Sequence, residues 1–104
     1  MDWESPPSDF RFVLFERVEP EDNAHRFYLV GWLPTLLEEG AVVRLYGRKG
    51  GAQRTLTTPF SSLTEAWPFI RSVIKTRLRH GYRVVAPETY QATAAPSEDP
   101  AVEL

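Results

Sequence analysis

The chain has 104 residues, 42% of them hydrophobic and 12% aromatic, and a formal net charge of −2. This length suits one small domain with a core of its own. The absence of cysteine excludes a disulfide framework, a cysteine nucleophile and any zinc site built on thiolates. No apolar run approaches the roughly 20 residues of a membrane span, and the acidic N-terminus lacks the apolar segment of a signal peptide. We therefore expect a cytoplasmic protein with no membrane partner.

Four segments predict strands by their alternating or continuous apolar residues, at 10–18, 26–33, 41–48 and 53–58. The first two carry apolar side chains on both faces, which is typical of central strands in a sheet. A short fifth strand is predicted at 82–85. Residues 1–9 and 88–104 are polar, acidic or rich in Pro and Ala, and we expect them to be disordered tails around a domain spanning 10–87.

One long helix is predicted between the fourth and fifth strands. Ser62 and Glu65 have the spacing of a capping box, and His80-Gly81 marks the end of the helix. Pro68 removes one backbone donor, so we expect a bend or a later start near it. The apolar positions recur with helical spacing at Leu63, Ala66, Trp67, Ile70, Ile74 and Leu78. Together these elements predict an α+β fold, in which an antiparallel sheet of four or five strands carries the helix on one face.

The third predicted strand carries the most informative pattern in the chain. Side chains alternate along a strand, so Arg44, Tyr46 and Arg48 share one face. A row of cation, aromatic and cation is a poor core face and a good binding face. Lys49 and two glycines form a flexible basic turn, and Arg54 begins the next strand. The alternative is an ordinary solvated hairpin that exposes these side chains without a ligand.

Charge is distributed unevenly along the chain. Residues 41–84 hold nine Arg or Lys and one acid, residues 1–40 hold three basic and nine acidic residues, and residues 85–104 hold four acids and no base. A basic segment flanked by acidic ones favours an anionic partner. The alternative is that folding brings the acidic residues beside the basic ones and leaves a nearly neutral surface.

Arg77 is out of place in the helix pattern. At about 100° per residue it falls within the apolar stripe, whereas Arg71, Lys75 and Arg79 lie together on an exposed flank. A charge in an apolar stripe costs free energy unless it reaches solvent or a partner. Arg77 either extends past the core to solvent at the end of the helix, or is held there to meet an anion.

Three blocks of this sequence, in order, resemble the WGR domain family. The motif is Tyr46-Gly47-Arg48 before Gly50, where Tyr46 replaces the family's Trp and the Gly-Gln expected after the turn appears as Ala52-Gln53 or Gln53-Arg54. Upstream stand Asn23 and Arg26-Phe27-Tyr28, and downstream stand Ala66, Ile70, Ile74, Arg77 and Gly81-Tyr82. The resemblance covers roughly residues 12–85, and the short chain looks like the stand-alone form found in bacteria.

The resemblance implies a function and a set of contacts. WGR domains of poly(ADP-ribose) polymerases bind DNA near strand breaks, which implies that Tyr46 packs against a DNA end and that Arg48 and Arg77 contact the nucleic acid. We expect a non-enzymatic module that binds nucleic acid, DNA rather than RNA, through phosphate and packing contacts without sequence readout. The candidate residues are Arg44, Tyr46, Arg48, Lys49, Arg54, Arg77 and Arg79.

No residue pattern predicts a catalytic site, a metal site or a cofactor. His25 and His80 are the only histidines, and neither has metal-ligand spacing to another ligand. An alternative function is a protein-interaction module that docks an acidic or peptide partner through Tyr46 and exposed aromatics such as Trp3 or Trp67.

Overall fold

Five strands and one long helix follow one another along the described part of the chain. The computed structural model describes residues 4–19, 21, 24–37 and 39–90. The elements are β1 (Phe12–Glu19), β2 (Ala24–Pro34), β3 (Gly40–Arg48), β4 (Gln53–Phe60), α1 (Leu63–Arg79) and β5 (Arg83–Ala86). The α+β fold predicted from the sequence, with an antiparallel sheet and one long helix on one face, is confirmed.

The strands form one sheet in the order β4-β3-β2-β1-β5, and every neighbouring pair is antiparallel. β1 and β2 are inner strands, as their apolar residues on both faces predicted. β4 is an edge strand, which explains how it accommodates Pro59, because a proline cannot donate a ladder hydrogen bond. The sheet therefore leaves β3, with its basic and aromatic side chains, next to an open edge strand.

The helix begins where the capping pattern predicted. Ser62 is the N-cap, and its hydroxyl accepts a hydrogen bond from the Glu65 backbone N–H at 3.1 Å. The helix then runs through Pro68 without interruption to Arg79, so the later start near Pro68 is wrong. Because the cap fixes the first turn and Trp67 and Ile70 are buried on either side of the proline, the helix tolerates the missing donor.

One face of the sheet holds the core. Ala66, Trp67, Ile70 and Ile74 are the buried positions of α1, as the apolar stripe predicted. They pack in one cluster with the sheet side chains Val13, Phe15, Tyr28, Val30, Trp32, Val42 and Val84. Strand alternation places these sheet residues on the side that faces the helix. The other side of the sheet has no element of the described chain packed across it.

The described segments on either side of the core contact the domain. Trp67 is only 3% exposed and meets the edge of the Phe10 ring, with centroids 5.2 Å apart, so it is not the exposed docking aromatic that the sequence suggested. Tyr90, which the sequence analysis assigned to the C-terminal tail, is buried and stacks on Phe10 at 6.4 Å. Burial also raises the pKa of the Tyr90 phenol. Residues 1–3 and 91–104 of the predicted tails lie outside the described residues.

Tyr90→Ala should destabilise the domain by about 2–4 kcal/mol, because it removes an aromatic ring from the core. Tyr90→Phe keeps the ring and should cost less than half as much. Chemical denaturation of both variants measures the difference. Equal stability of Tyr90→Ala and the wild type would show that the ring does not pack in solution.

Candidate nucleic-acid interface

The end of α1 is folded so that two side chains meet. The Tyr82 N–H donates to the Arg77 carbonyl at 3.1 Å, and the Gly81 N–H donates to the Leu78 carbonyl at 3.1 Å. This pair of hydrogen bonds defines a Schellman motif, in which the residue after the cap adopts positive φ. Gly81 supplies it, with φ of 88°. The chain therefore turns back, and the Tyr82 ring lies 5.5 Å from the guanidinium carbon of Arg77.

Arg77 lies over a second ring. Its guanidinium carbon is 4.5 Å from the centroid of Tyr28 in β2. Tyr28 in turn stacks on Tyr46 of β3, with centroids 5.0 Å apart and planes inclined by 10°. A cation on an aromatic face is attracted by the ring quadrupole and keeps its full charge. The charge of Arg77 is thus fixed in position without being neutralised.

The sheet register explains why the two tyrosines meet. Tyr28 and Tyr46 are directly opposite each other on antiparallel strands, so their side chains share a face. Tyr28 is buried and belongs to the core, while Tyr46 is half-buried and packs against it. One face of the Tyr46 ring is covered by Tyr28. What remains of its surface is directed toward the edge of the sheet, where Arg54 is its cross-strand partner.

The sequence pattern suggested that the basic face of β3 lies apart from the core. The structure instead places this face against core residues. Arg44 lies on the helix side of the sheet, with its guanidinium carbon 5.0 Å from the centroid of the Phe69 ring in α1. The Nε atoms of Arg44 and Arg77 are buried, and neither has a hydrogen-bond partner among the described residues. Of Arg44, Tyr46 and Arg48, only Arg48 at the end of the strand is exposed.

Five of the seven predicted residues lie together: Arg44, Tyr46, Arg48, Arg54 and Arg77. With Tyr28 and Tyr82, which the prediction did not include, they form a set that we call the basic-aromatic cluster. The strand members are neighbours through the β2–β3 and β3–β4 registers. The helix-end members join them through the ring contacts of Arg77. Arg77 thus lies beside the face of β3, and its role in binding stays a prediction.

Lys49 and Arg79 lie elsewhere. The Lys49 ammonium is 3.7 Å from Glu16, whose alternation in β1 places it on the side of the sheet away from the helix. Arg79 lies about 200° around the helix from Arg77, on the exposed side, and contacts Thr76 at 3.4 Å. Neither side chain adjoins the basic-aromatic cluster.

Acidic side chains neutralise only some of the basic ones. Glu19 bridges Arg17 and Arg26, at 2.6 and 3.1 Å. Glu16 contacts His25 at 3.0 Å as well as Lys49. Charge interleaving, the alternative left open by the sequence, thus occurs among side chains outside the cluster. Within the cluster itself, none of the four arginines pairs with a carboxylate of the described residues, so its charge is unbalanced.

The comparison with protein families identifies the chain. The WGR domain family matches residues 11–89. The chain belongs to the WGR domain family. WGR domains are modules of the nucleic-acid-binding type. Searches of curated proteins and of solved structures each found no match.

The glycine of the motif has a steric role in this WGR domain. Gly47 lies opposite Gln53 where β3 leads into the turn, and a Cβ there would overlap the Ala52 carbonyl oxygen and touch the Gln53 Cα. No side chain fits without moving the backbone at Ala52 and Gln53. Gly47 therefore allows β4 to close on β3 and holds Tyr46 and Arg54 in register.

The sequence analysis did not identify the side chains that hold the Arg77 guanidinium in position. Tyr28 and Tyr82 were noted only as parts of the family pattern, yet their rings hold the guanidinium. Arg17 was also missed; it lies 5.1 Å from the Tyr82 ring and donates to the His80 carbonyl at 2.9 Å. The glycine-aromatic pair after the helix was the available signal, because a Schellman turn brings its second residue back to the last helical turn.

Two further observations bear on other classes of site. Within the described ranges, no group of three His, Cys, Asp or Glu side chains is arranged to hold a metal ion. No helix found there is long and apolar enough to cross a bilayer.

Gly47→Ala should destabilise the WGR domain by about 1–3 kcal/mol, because the added methyl must displace backbone. Gly51→Ala, in the same turn, is the matched control, since its Cβ would meet only the Arg48 side chain and carbonyl at ordinary distances of 3.5 Å and more. Thermal unfolding of both variants provides the measurement. A Gly47→Ala variant as stable as Gly51→Ala would contradict the close approach at this position.

Stability should fall below about pH 4.5. Hydrogen bonding to His25 lowers the pKa of Glu16, and hydrogen bonding to Arg26, with the charge of Arg17, lowers that of Glu19. A carboxylate whose pKa is lower in the folded state stabilises the fold above its unfolded pKa of about 4.5 and loses this contribution as the pH falls through the folded value.

The Glu16→Gln and Glu19→Gln variants should therefore melt less steeply with acidification than the wild type. Glu88→Gln is the control, because Glu88 is exposed and has no ion pair with any described residue. Melting temperatures between pH 3 and pH 7 test this. Parallel curves for all four proteins would refute the assignment.

Proposed function

We propose that this WGR domain is a cytoplasmic, non-enzymatic module that binds DNA, preferring ends or breaks, through phosphate contacts and aromatic packing. One observation carries the proposal. The guanidinium of Arg77 is held 4.5 Å from the Tyr28 ring and has no carboxylate partner among the described residues. A fixed and partly buried charge without a counter-charge favours an anionic ligand.

The environment of Arg77 suits a phosphate. A guanidinium can donate two parallel hydrogen bonds to phosphate oxygens, and these charge-assisted bonds are among the strongest in proteins. Because the rings of Tyr28 and Tyr82 already restrict the side chain, binding costs less conformational entropy than it would for a free surface arginine. The exposed Arg48 and Arg54 extend the positive surface along the sheet edge.

Tyr46 supports the preference for ends. Its ring is stacked on Tyr28 on one side, and the rest of its surface is available beside Arg54. A flat ring of this kind can pack on a base or sugar, which is accessible at a duplex end or break but not inside an intact stack. The preference for DNA over RNA rests on the resemblance to the WGR domains of poly(ADP-ribose) polymerases.

The shape of the site favours recognition without sequence readout. Of the cluster residues only Arg77 lies on α1, so the site does not present a helix face to a major groove. The cluster offers guanidinium groups and phenol rings at a rim. Such groups contact phosphate, sugar and terminal bases, which fix position without specifying sequence.

A protein-interaction module is the second candidate function. The observation that favours it is the apolar side of the sheet that no described element covers. The basic-aromatic cluster could also accept an acidic peptide. Salt separates the two, because binding to a nucleic-acid backbone weakens log-linearly with salt through counterion release.

Arg48→Ala and Arg77→Ala should weaken binding to all duplexes, and each should reduce the salt slope by about one unit. Tyr46→Ala should lose about 1–3 kcal/mol of binding only where an end or break is present, because it removes the packing surface. Fluorescence anisotropy with blunt, nicked and hairpin-closed duplexes, single strands and RNA measures both effects.

Matched variants keep this experiment decisive. Tyr46→Phe retains the ring and should bind like the wild type. Lys75→Ala and Arg79→Ala remove one charge each from the exposed side of α1 and should change binding less than Arg77→Ala. If the folded triple variant of Tyr46, Arg48 and Arg77 bound every nucleic acid like the wild type, the site would be wrong. If the wild type bound none at low salt, the protein-interaction function would replace this one.

A further inference from the structure

The helix crosses the strands at an angle, as the contacts of one row of its side chains show. Phe69, Val73 and Arg77 are four residues apart and therefore lie along one side of α1. At the start of this row the centroid of the Phe69 ring is 5.7 Å from that of Phe60 in β4. At its end the Arg77 guanidinium lies over Tyr28 of β2. The helix is thus close to β4 at Phe69 and has moved away to β2 at Arg77.

This oblique crossing leaves a cleft between α1 and the first half of β4. Arg54 and Leu56, on the helix side of β4, are exposed, whereas Phe60 at the other end of the strand is half-buried. Arg44 and Tyr46 of β3 form the floor of the cleft, because they pair in register with Leu56 and Arg54. The cleft is closed where α1 approaches Phe60, and it opens toward the other end of β3.

Arg44, at the inner end of the cleft, is held in the same way as Arg77. Its guanidinium carbon is 5.0 Å from the centroid of the Phe69 ring, and its Nε is buried without a hydrogen-bond partner among the described residues. No carboxylate of those residues pairs with it. The ring fixes the guanidinium and leaves its charge intact. Two fixed positive charges, Arg44 and Arg77, therefore flank Tyr46.

The composition of the cleft suits a single strand of nucleic acid. Bases of a single strand stack on aromatic rings while the phosphates follow positive charge. Tyr46 and Phe69 are half-buried rings, Leu56 adds an apolar wall that is 39% exposed, and Arg44 and Arg54 supply the charge. An intact duplex is stiff and keeps its bases stacked, so it can cover the mouth of the cleft but cannot bend into it.

We propose that the cleft holds the single-stranded overhang of a DNA end, an inference that rests on the proposed function of the basic-aromatic cluster. The duplex lies at the mouth beside Arg48 and Arg77, the first unpaired base packs on Tyr46, and Arg44 binds a phosphate further along the overhang. The domain should therefore bind an end with an overhang more tightly than a blunt end.

The length of the cleft limits the length of the overhang that it holds. Arg48 at its mouth and Arg44 are four residues apart in β3, which gives ~14 Å at a strand rise of ~3.4 Å per residue. A stacked strand rises ~3.4 Å per nucleotide and an unstacked strand is longer, so this length holds roughly two to four nucleotides. Further nucleotides lie outside the cleft and should add little affinity.

Fluorescence anisotropy with hairpin-closed duplexes that have one free end tests the proposal. The wild type should bind an end with a three-nucleotide overhang about fivefold or more tightly than a blunt end, because unpaired bases gain stacking surface in the cleft. Overhangs with 3′ and 5′ polarity are separate arms, and a preference for either over the blunt end supports the proposal. A blunt duplex extended by three base pairs is the control for added phosphate charge.

Leu56→Asp and Thr57→Asp are a matched pair of variants. Both residues are exposed neighbours on β4, but Leu56 lies on the cleft side and Thr57 on the opposite side of the sheet. Both variants should fold, which circular dichroism verifies. Leu56→Asp should lower the ratio of overhang to blunt-end affinity to about one, because its carboxylate repels the phosphates. Thr57→Asp should keep the wild-type ratio, and Arg44→Met, which retains the aliphatic stem on Phe69, should lower it like Leu56→Asp.

Equal affinity of the wild type for blunt and overhanging ends would overturn this inference and leave the proposed function in place. An extended blunt duplex that bound as tightly as the overhang would overturn it as well, since added charge would then explain the gain. Equal ratios in the two aspartate variants would place the overhang outside the cleft and also overturn it. A wild type that bound no nucleic acid at low salt would overturn the proposed function and this inference together.

Discussion

The contact between Arg77 and the ring of Tyr28 links the core of this WGR domain to its proposed function. Tyr28 is a core residue, so the helix, the sheet and the turn after the helix must all be in place for the guanidinium to lie where it does. The ring holds the charge without cancelling it. Had a carboxylate taken the place of the ring, its charge would offset that of the arginine and weaken the attraction for an anionic ligand.

The two faces of the sheet have different roles in this account. The helix side combines the core with a rim of fixed positive charge, and the acid Glu19 on that side is engaged by Arg17 and Arg26. The other side of the sheet has no element of the described chain packed across it. A small sheet covered by a single helix can separate these two surfaces because alternate residues of every strand point to opposite sides.

Local patterns in the sequence predict most of the fold and part of the site. The Ser62 cap, the apolar stripe of α1 and the alternation in β3 are short-range features, and each appears in the structure. The stack of Tyr28 on Tyr46 depends on the register of two strands joined by a loop, which no local pattern specifies. The turn after β3 likewise carries Lys49 across to Glu16 on the other face, although the sequence groups Lys49 with Arg48.

A crystal structure of the domain bound to a short blunt duplex tests the central claim most directly. The account predicts that Arg77 donates to a phosphate oxygen while its guanidinium remains on the Tyr28 ring, and that Tyr46 packs against the terminal nucleotide. A duplex seated on the side of the sheet away from α1 would contradict the account. So would a complex in which Arg77 leaves the ring to reach the DNA, because its fixed position would then have no part in binding.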